Sequence, residues 1–121
     1  MTKEERYLLL RDSFARVPYG VKGVNEYGNI ITLKDWKTEQ SIFDGIRYII
    51  NKYNWRPYLF PLSSMTEEQR KEFVTTLKYL PSDEIDIWTL NTYDWCDKNH
   101  LDYRGLISMG LAIDATDKNI Y

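Results

Sequence analysis

The sequence predicts an α+β protein, with four or five helices packed on a small antiparallel β-hairpin sheet in a single domain spanning residues 1–121. Three observations carry that prediction. Two segments, 2–16 and 66–80, open on a capping box and repeat apolar residues at helical spacing. A third, 19–34, is rich in β-branched residues and punctuated by glycines at turn positions. The chain is 43% hydrophobic and 15% aromatic, enough apolar area to offset chain entropy without a disulfide or metal staple.

Taken in order, Thr2 and Glu5 are spaced so that each side chain satisfies the other's free backbone N–H. Tyr7, Leu10, Phe14 and Val17 follow as one apolar stripe, and Pro18 ends the helix because its neighbour is pushed out of the helical region. In 19–34, Val21 and Ile30 to Leu33 suit strands. Gly20, Gly23 and Gly28 punctuate them, and Asn25 to Asn29 supplies turn chemistry with Gly28 free to take a positive φ. A lone two-stranded ribbon is marginal in water, so this one must pack on helices or find a third strand.

Residues 39–53 fit two structures. Ile42, Ile46, Ile49 and Tyr53 make a helix face that persists beyond three turns, which favours a helix. The run Ile46 to Ile50 also reads as a strand, and Gly45 costs a helix interior about 1 kcal/mol relative to Ala. From Trp55 to Leu62, Pro57 and Pro61 remove two backbone donors, predicting an extended strap or edge strand with Tyr58 and Phe60 on one side. The helix at 66–80 pairs Thr66 with Gln69, buries Phe73, Val74, Leu77 and Leu80, and stops at Pro81. Ile85 to Trp88 leads into a helix near 91–98 closed by Asn99. Asp102 then caps a last short helix running through Met109, with Gly110 just past its end.

Sixteen basic and eighteen acidic side chains give a net charge of −2, which excludes a polybasic nucleic-acid coat and an acidic mimic of DNA while leaving room for a local basic patch. One cysteine excludes an intramolecular disulfide. The acid-bearing start, Met1 to Arg6, is unlike a secretory signal, and no apolar run approaches the roughly 18 residues of a membrane span. A cytoplasmic location is the expectation, with no membrane contact.

Chemistry concentrates between Cys96 and Arg104, which hold a thiol, two carboxylates, the one histidine and a guanidinium. Asp97, His100, Asp102 and Arg104 are the candidate catalytic residues of a small metal-dependent or hydrolase-like enzyme. Cys96, Asp97, His100 and Asp102 are competent ligands, yet one His and one Cys without a paired motif fall short of a zinc set, so no metal and no cofactor is expected. Cys96 and His100 share a helix face, but Asp94, Asp97 and a helix C-terminus all raise a thiol pKa, so Cys96 reads as inert and buried. The structural alternative uses every group locally. His100 sits at the negative end of a helix, Asp102 caps the next one, Arg104 pairs with Asp102 or Asp97, and Tyr103 anchors the corner. A helix-turn-helix would need a base-reading second helix, and Tyr103 to Met109 is mostly apolar with one cation.

Arg47, Lys52, Trp55 and Arg56, interleaved with Tyr48 and Tyr53, form a basic aromatic stretch that could contact single-stranded bases or a protein partner. The plainer reading has long basic stems covering the apolar surface of a half-exposed helix. Gly20, Gly23 and Gly28 lack the following Gly-Lys-Ser/Thr of a phosphate loop.

Two longer strings, Arg56 to Glu68 and Asn91 to Ala115, are similar to a group of short proteins from gut anaerobes of the Bacteroides type and from their phages or integrated elements. The resemblance covers roughly 56–115 and implies a mobile-element setting. The group has no established activity, so no catalytic residue carries over. With no complete catalytic constellation and abundant aromatics, the sequence favours a non-enzymatic accessory or protein-interaction protein of phage or mobile-element origin. A protein partner or a second copy is the expected ligand, with nucleic acid disfavoured.

Overall fold

The structure, a computed structural model, describes residues 1–33, 39–78 and 85–121. Side chains are described for these except at 39, 40, 74–78 and 85–91. The fold is α+β. Among the described residues it has four α-helices, α1 (Lys3–Ala15), α2 (Glu39–Tyr53), α3 (Glu67–Lys78) and α4 (Ile85–Lys98). Among the same described residues are five strands, β1 (Lys22–Val24), β2 (Ile30–Thr32), β3 (Arg56–Pro61), β4 (Leu101–Asp102) and β5 (Ile113–Asp114). The sheet is larger than the expected hairpin and it is mixed. β1 pairs antiparallel with β2 and β3, whereas β4 and β5 pair with β3 in parallel.

Local chemistry sets the element ends. The Glu5 amide donates to the Thr2 hydroxyl and the Thr2 amide to the Glu5 carboxylate, closing the first box, and Thr66 with Gln69 repeats the arrangement before α3. The hairpin turn is held by Asn25, whose side-chain oxygen accepts from the amides of Tyr27 and Asn29, with Gly28 at φ 81°. Residues 39–53 are helical: Ile46 and Ile50 are buried, and α2 lies against α1. Leu80 and Pro81, and the side chains of Val74 and Leu77, lie outside the described residues.

The strap at 55–62 is the largest departure from expectation. It is an inner strand, not an edge, and the rest of the sheet assembles on it. Short partners make this possible. Each neighbour of β3 covers two of its residues, so no long ladder needs the donors that Pro57 and Pro61 lack. Alternation buries Pro57 and Leu59 and leaves Tyr58 and Phe60 on the less buried side. The core joins Leu9, Leu10 and Val17 to Val21, Leu33, Ile46, Ile50, Trp55, Leu59, Leu106, Leu111 and Ala112. Tyr7, expected in the α1 stripe, is 59% exposed; the inward face is turned toward Leu9, Asp12 and Ser13, each fully buried.

The predicted helix at 102–109 is absent, so the structure offers no second helix to a helix-turn-helix. Asp102 does organise this segment, as a loop clamp. Its carboxylate accepts from the amides of Leu106 (2.8 Å) and Ile107 (2.9 Å), and Gly105 and Gly110 turn the chain at φ 75° and 77°. The Leu106 carbonyl in turn accepts from the amides of Leu111 and Ala112, which draws three core residues together. Asp102→Ala is expected to lose about 2–3 kcal/mol in urea unfolding, because two amides lose their acceptor. Asp102→Asn, retaining one acceptor oxygen, should lose less.

Candidate functional site

Two regions carry the functional candidates. The first is a buried ionic cluster that the tertiary fold builds from distant segments. Asp12, on the inner side of α1, and Arg16, the residue that caps its C-terminus one turn on, are both fully buried. Arg16 donates through Nε (2.9 Å) and Nη2 (3.2 Å) to the Asp12 carboxylate, and through Nη2 to the Leu101 carbonyl at 2.7 Å. Asp97, from α4, lies 3.7 Å from Arg16 Nε and accepts from the Tyr103 hydroxyl at 2.9 Å. Arg104 reaches across to Asp12 Oδ1 at 2.6 Å and lies over the Tyr103 ring. Two carboxylates and two guanidiniums thus form a charge-balanced set tying α1 to α4 and the start of the loop after β4. Burial pushes the Asp97 carboxyl above the usual range, with Arg16 and the Tyr103 hydroxyl pulling back.

Arg104 was expected to pair locally with Asp102 or Asp97, and its partner is Asp12. The local choice is closed because Asp102 is engaged by the backbone of its own loop. Asp97 and Arg104 line a groove of about 530 Å3 together with Arg11, Tyr93, Asp94 and Tyr103. Tyr93 stacks on Tyr103 at 4.9 Å, and the Tyr19 hydroxyl donates to Asp94. Neither His100 nor Asp102 is among the described residues of that groove. Of the four proposed catalytic residues, the fold brings two to one place and directs two elsewhere. No group of three or more His, Cys, Asp or Glu side chains able to hold a metal occurs among the described residues. Cys96 is buried, and burial with the Asp97 charge beside it pushes its thiol to about 11.

His100 has a different task. α4 ends at Lys98, and His100, not Asn99, takes the left-handed turn at φ 57°. Its ring stacks on Tyr121 with centroids 3.7 Å apart, and Nδ1 has no hydrogen-bond partner among the described residues. A cation suits that position poorly. Burial, reinforced by Arg16 and Lys22, lowers the imidazole to about 4, so His100 is neutral at pH 7 and not the charged dipole partner expected. Between pH 6.5 and 4 the unfolded chain therefore binds more protons at this residue than the native chain, and stability is lost as the pH is lowered through that range. The loss should be of order 1–2 kcal/mol after screening, since the ring is partly solvated. Asp97, with its raised pKa, opposes this trend. His100→Asn, which tolerates the left-handed turn, should therefore be less acid-sensitive than wild type in unfolding measured from pH 7.5 to 4.

The second region is the outer side of α2. The stretch 47–56 divides there. Trp55 is fully buried, its Nε1 donating to the Ile31 carbonyl at 3.2 Å, so it cannot stack on a base. Arg56 is drawn into β3. Arg47 and Lys52 remain exposed. The aromatic surface beside them is Tyr48 (54% exposed) and Tyr27 (70% exposed), linked by edge-to-face contacts through Tyr53 at 5.6 and 6.4 Å.

Asp12, Arg16 and Tyr27 were not singled out by sequence reasoning. The i, i+4 spacing of Asp12 and Arg16 was a visible signal, since an acid and a base one turn apart can pair. Their burial was not visible. No family model matches the chain, and no curated protein and no solved structure is similar to it. No described helix is long and apolar enough to cross a membrane.

Proposed function

We propose that this protein is a non-enzymatic interaction module, of phage or mobile-element origin as its sequence resemblance suggests, that binds another protein chain through the outer side of α2 and the hairpin turn. The observation that supports this reading is the connected tyrosine surface of Tyr27, Tyr53 and Tyr48, flanked by Arg47. Tyrosine and arginine dominate the energetics of protein interfaces because each offers a large flat contact with a polar edge. In the ionic cluster, by contrast, the charged groups already compensate one another, which weakens the enzyme reading around Asp97, His100, Asp102 and Arg104.

A photo-crosslinking residue placed at Tyr48 in cells should give one discrete protein adduct. The same residue at Tyr7, exposed on α1, should give none. Tyr27→Ala should abolish the adduct at position 48. A diffuse smear at both sites, or single-stranded nucleic acid captured with a steep salt dependence, would overturn the proposal.

A further inference from the structure

The outer stripe of α2 is self-complementary. Asp44, Tyr48 and Lys52 are spaced four residues apart, so they lie along one line of the helix with an acid at one end, a base at the other and a ring midway. All three are exposed, while Ile46 and Ile50 hold the opposite face in the core. They border a shallow hollow of about 420 Å3 with Arg47 and Asn51. Tyr48 is braced at the centre of the stripe by its edge-to-face contact with Tyr53 at 5.6 Å, so ordering it on contact costs less than ordering a free side chain.

From this pattern we infer that the occupant of the surface is a second copy of the same chain, in an isologous dimer with its two-fold axis at Tyr48. The inference rests on the interaction reading above and names its partner. Two α2 helices crossing antiparallel about that axis bring Asp44 of each copy opposite Lys52 of the other, with the two Tyr48 rings in contact between them. A parallel crossing sets acid against acid and base against base. Asp44 also interacts within its own chain, and a carboxylate has lone pairs for both contacts. The charges set orientation and register, and the rings supply the contact area. One helix per protomer is a small interface, below about 1,200 Å2, so the dimer forms reversibly with concentration.

Charge exchange tests this directly, by sedimentation over a range of protein concentrations with native mass spectrometry to identify species. Wild type should dimerise. Asp44→Lys alone and Lys52→Asp alone should each weaken self-association at least tenfold at low salt, and Tyr48→Ala likewise, with unchanged helical circular dichroism. Mixing the two charge variants should produce a heterodimer, and the double variant Asp44→Lys/Lys52→Asp should recover the homodimer. A wild type that stays monomeric throughout, or single variants that associate as wild type does, would overturn the inference. A monomer that still gives a discrete adduct with a different protein from position 48 would overturn the second copy as occupant and leave the interaction reading standing.

Discussion

Arg16→Met is expected to destabilise the protein by about 3–5 kcal/mol, because it strands buried carboxylates without their counter-charge. The residue is fully buried, and it is the cation shared by Asp12, Asp97 and the Leu101 carbonyl. Arg104 can compensate Asp12 but not Asp97 as well, and the Leu101 carbonyl loses its donor. Thermal and urea unfolding should both show the loss. The double variant Asp12→Asn/Arg16→Met should recover part of it, since one charge of each sign is then removed and Arg104, released from Asp12, is left as the counter-charge for Asp97. A single variant as stable as wild type would show that the cluster is solvated in solution and does not clamp α1 to the C-terminal segments.

Gly23→Ala is the second large effect. Gly23 is one of the few residues of β1, and the Trp55 indole lies directly against it. A methyl at Gly23 would overlap that ring and come within 2.5 Å of the Arg56 carbonyl oxygen. Backbone cannot yield as a side-chain tip can, so β1 must move away from β3 where the two are paired. A loss of about 3 kcal/mol is expected, at the upper end of overpacking costs. Trp55→Ala should cost about 3–5 kcal/mol by opening a cavity in the core. If the methyl and the indole compete for one space, Gly23→Ala/Trp55→Ala will cost clearly less than the sum of the singles. Strict additivity would mean that the Arg56 carbonyl, and not the indole, is what requires glycine.

Both effects involve residues whose roles depended on distant parts of the chain, and that separates what was legible from what was not. The capping boxes and the Asn25 turn are readable, because each is settled by groups within a few turns of one another, and periodicity favours the helix at 39–53 without closing the strand alternative. In the sequence Gly23 reads as punctuation, whereas its real constraint is the ring of residue 55 and the carbonyl of residue 56 lying against it. Asp102 reads in the sequence as a helix cap. It serves loop amides instead, because whether 103–109 continues as a helix depends on where Leu106, Leu111 and Ala112 find the core. The basic aromatic stretch was split between surface and interior, a division that local pattern does not encode for a single tryptophan.

By itself, the sequence determined the α+β class, the ends of α1 and the hairpin, and favoured a helix over a strand at 39–53, since propensity, caps and periodicity act over short separations. Only the tertiary structure decided that a proline-bearing segment would be the inner strand, that Arg104 would answer Asp12 across 92 residues, and that His100 would lie neutral against Tyr121. The reason is physical: charge and hydrogen-bond partners are chosen by what burial brings within a few ångströms, and burial is a property of the whole packed chain.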